Sequence, residues 1–482
     1  MKFQLPGSFK TADALRARIA ELEVPIDVDE RLEPGSDGPL GRPLEWAPGK
    51  FAANRFTIHP MEGWDGTREG APSDLTRRRW RRFGRSGAAL IWGGEAFAVQ
   101  ADGRANPNQL YLREPDASVR DLAALREEIL EGRREVGASE DLGPIGLQLT
   151  HSGRWSRPDG PPSPRPVTRD GLLDARAGGD EPLLTDDELA AIQDRYVAAA
   201  HVASRAGFDF VDVKACHGYL IHELLGARGR EGRYGGPTFE ARTSFLMETI
   251  ARIRDELPDL AVGCRVSLAD VVPHRPSDAE DRHGEPAATA WDHGFGVRGD
   301  APTEFDLAEP HRLLDALRSR GVTLVNVTLG SPYYNPHLQR PAAYPPSDGY
   351  QPFADPLLFV AAHLDVVRRA KAAHPDLTLI GTGYTYLMDW LPNVAQAEVR
   401  AGRVDSVGLG RMVLSYPEMP RDVLEGRPLA RKLVCRTFSD CTTAPRNGMV
   451  SGCYPLDDDY RTRPERERLK EIKRAFKEGA RP

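Results

Sequence analysis

Lys214, Cys216, His217 and Tyr219 fall within six positions of one another, in the stretch FDFVDVKACHGYLIHELLGARGREGRYGG from Phe208 to Gly236. An ammonium group donates hydrogen bonds to an oxyanion, or acts as a nucleophile when held neutral. An imidazole and a phenol beside it add acid–base chemistry. Phe210, Val211 and Val213, flanked by Gly207, predict a buried strand that ends where these residues begin. In a β/α barrel the C-terminal ends of the strands are where reactions are catalysed. A second cluster, Gly408, Gly410 and Arg411, brings backbone N–H groups and a fixed positive charge to the last predicted strand, with Gly381 and Gly383 on the strand before it. That pattern suits a phosphate group; a tight turn that needs glycine would produce it too. Gln148 and Arg265 end two further strands. An amide and a guanidinium there must meet a polar ligand or a polar network of the barrel's own.

The elements that would position these residues alternate. The predicted strands are Arg55–His59, Ala88–Trp92, Ile145–Leu149, Phe210–Lys214, Ala261–Val266, Thr323–Thr328, Leu377–Gly381 and Ser406–Leu409. Helical patterns fill the gaps at Leu75–Ser86, Val119–Arg134, Asp186–Arg205, Phe239–Glu256, Pro310–Arg320, Pro356–Ala373 and Leu391–Ala401. Eight such units predict an α/β fold, a (β/α)8 TIM barrel. An open doubly wound sheet is the competing arrangement, but no Gly-rich dinucleotide fingerprint follows the first strand. Before the barrel comes a helix at Thr11–Leu22, then a Gly- and Pro-rich segment over 35–50 that reads as a loop or small hairpin covering one end. The loops Ser156–Thr185 and Val272–Thr303 are long enough to shape a pocket. His274, His283 and His293 in the second match no ligand spacing and read as solvated loop residues.

Composition excludes several classes. With 482 residues and a formal charge of −7, the chain has room for a large core and shows no basic stripe for nucleic acid. No apolar run reaches the length of a membrane span. The opening Met-Lys-Phe-Gln-Leu-Pro lacks the apolar core of a secretory signal, so a cytoplasmic protein is the expectation. Five cysteines are too few for a disulfide framework. The expected partner is a small molecule; a homo-oligomer is compatible with the composition.

The segments NRFTIHPMEGWDG (54–66), ALIWGGEA (89–96), GLQLTHSGR (146–154), HGYLIHELL (217–225), RYGGPTFEAR (233–242), GCRVS (263–267) and VGLGRM (407–412) occur in that order. Together they resemble the old yellow enzyme family of FMN-dependent oxidoreductases, over about residues 40 to 430. The resemblance implies FMN held at the barrel mouth. Pro60, Met61 and Glu62 would line the flavin, Gly93 or Gly94 would approach it, and Gln148 and Arg265 would reach its ring. Gly383, Gly410 and Arg411 would hold its phosphate. It further implies NAD(P)H as electron donor and hydride transfer to the activated C=C bond of an α,β-unsaturated carbonyl substrate. Tyr219 matches the family's proton donor and His217 the second member of its carbonyl-binding pair. The first member is replaced by Lys214, whose charge would suit an anionic substrate. Glu62 is a second departure, where the family more often has a small residue; it would tune the flavin or pair with Lys214.

Cys435, Cys441 and Cys453 resemble a branch of the family typified by 2,4-dienoyl-CoA reductase and trimethylamine dehydrogenase, which carries a [4Fe–4S] cluster after its barrel. Phe438 stands where the second cysteine would be, leaving three thiolates where a cluster needs four, so the segment reads as a metal-free relic. If a cluster were present, those three cysteines would hold it. The expected organisation is an N-terminal extension over 1–40, an FMN-binding barrel over 41–430 and a C-terminal extension over 431–482, without the further nucleotide-binding domains of that branch. Three other readings stay open: a flavin-dependent dehydrogenase with an iron–sulfur cluster working in the oxidative direction, by desaturation or amine oxidation; a Schiff-base lyase using Lys214; and a flavin-binding protein with no turnover.

Overall fold

The computed structural model describes residues 3–477. The first two residues of the expected N-terminal extension and the last five of the C-terminal one lie outside the described residues. The barrel strands are β1 (Phe56–Ile58), β2 in two pieces (Leu90–Ile91 and Ala96–Ala98), β3 (Gly146–Thr150), β4 (Phe210–Val213), β5 (Ala261–Ala269), β6 (Leu324–Leu329), β7 (Thr378–Gly381) and β8 (Ser406–Leu409). All pair in parallel, in the order of a ring. The first piece of β2 pairs with β1 and the second with β3, while a bridge from Ile91 to Ile145 joins the edges. The strands read as continuous apolar runs because both of their faces are covered; every residue of β3, β4 and β6 is buried.

The outer helices are α2 (Asp74–Gly84), α3 (Pro115–Glu135), α4 (Asp186–Arg205), α5 (Phe239–Glu256), α6 (Ala308–Ser319), α7 (Pro356–Ala373) and α8 (Leu391–Arg400), preceded by α1 (Ala12–Glu21). Side-chain caps explain the starts of α1 to α5 and of α7. In α4, Thr185 accepts from the Glu188 N–H and Glu188 returns the bond, a reciprocal box that satisfies two otherwise unpaired donors.

Strand β2 departs from the predicted Ala88–Trp92. It breaks at Trp92–Glu95 and resumes at Ala96, because Gly94 passes directly against the Trp80 ring, where no side chain fits. The segment over 35–50 forms the predicted cover: the hairpin Leu44–Ala47 and Lys50–Ala52 closes the bottom of the barrel. Its Trp46 packs 6.1 Å from Phe210, which in turn meets Trp92 at 5.4 Å. The N-terminal segment is tied to the helices, with Arg18 paired to Asp355 at 2.7 Å and Asp29 accepting from Gln396 at 2.6 Å.

Both long loops carry structure of their own. The first contains a short helix, Gly171–Ala177, and the second a hairpin of His274–Pro276 with Gly284–Pro286. His274 is not solvated as expected. It is buried, stacked 4.8 Å from Phe353, and burial lowers its pKa to about 4. His283 and His293 are partly exposed and pair with Asp281 and Asp292. Among the described residues no helix is long and apolar enough to cross a membrane.

Candidate active site

A cavity of about 520 Å³ opens at the C-terminal ends of the strands. It gathers residues that the chain scatters over 350 positions: Pro60, Met61 and Glu62 after β1, Gln148 from β3, Lys214, His217 and Tyr219 after β4, Arg265 from β5, Gly383 after β7, and Gly410 and Arg411 after β8. Gly93 lies behind this lining, where a Cβ would stand 3.1 Å from the Gln148 nitrogen and 3.4 Å from Pro60.

Asp212 organises the floor. Its carboxylate accepts from Gln148 Nε2 at 2.6 Å, Trp92 Nε1 at 2.7 Å and the Arg265 backbone N–H at 2.6 Å. Burial pushes its pKa up, and those three donors pull it back. With one N–H of its amide given to Asp212, Gln148 keeps a second N–H and its amide oxygen for a ligand in the cavity it lines. The Arg265 guanidinium reaches the Pro60 carbonyl at 3.4 Å and keeps a buried Nε without a partner. Deeper still, the buried ring of His59 lies between Asn326, at 3.0 Å, and Thr382, at 3.2 Å, and takes up the space a side chain at Gly408 would need.

One corner is built for an anion. Arg411 donates from Nη2 to the Pro341 carbonyl at 2.8 Å, while its buried Nη1 has no partner. Arg340 is tied through Nη1 to Thr442, and its buried Nη2 is likewise unpartnered. Burial, with Arg411 and Arg446 nearby, pushes Arg340 down to about 9. Around Gly410 there is open space where a Cβ would be, and Gly383 adopts φ of +97°. Unsatisfied buried guanidinium nitrogens are costly. Two of them beside backbone that a ligand can approach closely fit the phosphate of FMN, and the free Gln148 oxygen and the Arg265 guanidinium fit the edge of its ring.

Lys214, His217 and Tyr219 form a second group in the lining. Lys214 Nζ lies 3.6 Å from the centroid of the Tyr219 ring, and burial lowers its pKa. His217 has φ of +67°, strained for a residue with a side chain. It is held there by bonds of its N–H to Ser267 Oγ at 3.1 Å and of its carbonyl to Ser331 Oγ at 2.9 Å. Its Nε2 stands 3.3 Å from Thr328 Oγ1 and 3.1 Å from Gln339 Nε2, and burial lowers its pKa well below the ordinary value. The Tyr219 hydroxyl bonds to Glu62 Oε2 and lies 2.9 Å from the Tyr333 hydroxyl. Glu62 is thus held by Tyr219, not by an ion pair with Lys214.

Sequence reasoning missed Tyr333, Gln339 and Arg340, which come from the β6–α7 connection and carry no motif. It also missed the wall that the C-terminal extension contributes through Cys441, Thr442, Arg446, Met449 and Val450. That extension is fixed to the barrel: Asp457 receives Arg78 at 2.8 Å and also Arg82, both on α2. Cys435, Cys441 and Cys453 are each partly exposed, and burial pushes the first and last thiols up. Asp440, the carboxylate nearest them in sequence, is paired with Lys473 at 2.5 Å. Among the described residues no group of three or more His, Cys, Asp or Glu side chains is arranged to hold a metal ion.

Comparison with known proteins follows the same outline. A family model described as NADH:flavin oxidoreductase / NADH oxidase matches residues 42–292, just over half of the chain. An NADPH dehydrogenase of Geobacillus sp. (strain WCH70) is 28% identical over 382 residues, covering 76% of this chain and 88% of that protein. Among solved structures, a 2-naphthoyl-CoA reductase complex superposes with a TM-score of 0.65 at 18% identity, over 88% of this chain and 57% of that one. Morphinone reductase superposes with a TM-score of 0.54 at 22% identity, over 82% and 91%. Of several further relatives the chain spans about half the length.

Proposed function

The chain belongs to the NADH:flavin oxidoreductase / NADH oxidase family, FMN-dependent oxidoreductases of the old yellow enzyme type, and we propose that it uses NAD(P)H to reduce the activated C=C bond of an α,β-unsaturated carbonyl compound. The observation that carries this reading is that Lys214, His217 and Tyr219 line the same cavity as Gln148 and Arg265.

When bound, FMN supplies the acceptor and donor of the hydride. Arg411 and Arg340 would hold its phosphate beside Gly383 and Gly410, with Gln148 and Arg265 at its ring and Pro60 and Met61 against it. A substrate carbonyl lying over that ring would take hydrogen bonds from Lys214 and His217. The lysine adds a positive charge, which favours the enolate-like oxygen of the transition state. Tyr219 lines the same cavity and would give a proton to the α-carbon. A phenol is a weak acid, so it acts here only through position and the basicity of the carbon beside it. The lowered pKa of the buried Lys214 amine also makes borohydride trapping of a carbonyl a direct check on the lyase alternative.

The experiment is anaerobic stopped-flow on the FMN-loaded protein with the Tyr219→Phe variant. Flavin reduction by NAD(P)H should be unchanged within about twofold, while reoxidation by 2-cyclohexen-1-one slows by roughly a hundredfold. Equal slowing of both half-reactions would remove Tyr219 as the donor.

A further inference from the structure

Glu62 follows β1 into the cavity, and its two carboxyl oxygens have different surroundings. Oε2 is bonded to the Tyr219 hydroxyl, which continues to Tyr333 at 2.9 Å. Oε1 is buried and has no hydrogen-bond partner. The neighbouring Asn106 amide gives one N–H to the Gly63 carbonyl at 3.0 Å and turns its second N–H toward the Glu62 carboxyl. Of the cations nearby, Lys214 lies over the Tyr219 ring, and Arg157 and Arg446 face Tyr333 from the cavity mouth. No ion pair to Glu62 forms among the described residues.

A buried carboxylate with one oxygen unpaired is costly, whereas the carboxylic acid in the same place leaves far less charge unsolvated. Burial accordingly pushes the Glu62 pKa up, and Lys214, Tyr219 and Asn106 only partly offset it. The two forms treat Tyr219 differently. A carboxylate accepts the Tyr219 proton and keeps it turned away from the cavity. A carboxylic acid donates to the Tyr219 oxygen, which leaves the phenolic O–H to point at a substrate.

We propose that Glu62 is the proton store of this site, directing the Tyr219 hydroxyl toward the substrate and replacing the proton that Tyr219 gives up. The inference rests on the C=C reduction proposed above. In that reaction the β-carbon receives the hydride made available by NAD(P)H. The Tyr219 O–H bond breaks as the α-carbon–H bond forms. The Glu62 O–H bond breaks as a new Tyr219 O–H forms. Glu62 is left as a carboxylate and regains a proton from solvent through the half-buried Tyr333. Glu62 acts through Tyr219 and is therefore a positioning residue.

Two measurements on the FMN-loaded protein and its Glu62→Gln variant test this. The first is the pH profile of reoxidation of the reduced enzyme by 2-cyclohexen-1-one. A group with a raised pKa holds its proton below that pKa and loses it as pH rises, so the wild-type rate should fall on the alkaline side. The variant cannot titrate there; it should lose that limb and run about tenfold slower on its plateau. The second is infrared difference spectroscopy across the same pH range. A protonated-carboxyl C=O band, sensitive to 2H2O, should titrate away with the rate and be missing in the variant. An unchanged alkaline limb in Glu62→Gln, or no such band in the wild type, overturns the proposal. If 2-cyclohexen-1-one reoxidises the wild type at no pH, the C=C reading fails, and the infrared band then decides alone. Its presence and its loss in Glu62→Gln keep Glu62 as the proton store; its absence ends that too.

Discussion

Arg340 and Arg411 present the site's clearest unmet demand: two buried guanidinium nitrogens without partners, on residues each already tied through one other nitrogen. An anion placed between them gains two charge-assisted hydrogen bonds, each worth about 1.5–3 kcal/mol. Arg411→Ala should therefore weaken FMN retention by roughly tenfold to a hundredfold, measured by fluorescence of released flavin on dilution, and Arg340→Ala should do the same. Unchanged retention in both would move the phosphate elsewhere. Arg411 was legible in the sequence because glycines at fixed offsets announced it. Arg340 was not, since a lone arginine in a connection between strand and helix looks like any surface charge. His274 failed for the opposite reason: a histidine in a charged loop looks solvated, and only packing against Phe353 and Tyr350 places it inside.

At the scale of elements, the barrel was readable because the strands are short apolar runs and most of the helices carry a capping residue at their start. Helices α4, α5 and α7 fall where their caps and periodicity put them, since local signals and burial agree there. The break in β2 was not readable: Gly93-Gly94 looks like a flexible turn until the Trp80 ring is seen to occupy the space beside it. The C-terminal extension was harder still, because its cysteines read as a metal-free relic and nothing in its sequence pointed to the wall it adds to the cavity. That wall is anchored by Asp457, a buried acceptor for two arginines of α2. Asp457→Asn leaves Arg82 without its counter-charge and Arg78 with Asp459 alone, and should cost about 2 kcal/mol, less than a fully buried pair because Arg78 is a third exposed. The loosened wall should raise the off-rate of FMN while leaving the barrel's far-UV circular dichroism unchanged. A variant with wild-type flavin retention would show that the wall and the cofactor corner are independent.

Across the whole molecule, the hairpin at the bottom and the polar mouth at the top divide the barrel into a stable end and a strained one. Trp46, Trp92 and Phe210 fill the lower end with aromatic surface. The upper end holds what burial disfavours: Arg265, Arg340, Lys214, Glu62 and a left-handed His217. Such a fold should be less stable empty than filled, because a ligand with a phosphate and a hydrogen-bonding ring relieves several of these costs together. Binding to the native state alone stabilises it by RT ln(1 + [L]/Kd), about 2.7 kcal/mol at a hundredfold excess over Kd. For a chain this long that corresponds to a rise in Tm of roughly a few degrees. Differential scanning calorimetry of protein stripped of flavin should show Tm climbing with added FMN. Riboflavin, which lacks the phosphate, should raise it less, and the difference between the two should shrink in Arg411→Ala. Equal shifts from FMN and riboflavin in the wild type would mean that the arginine corner plays no part in holding the cofactor.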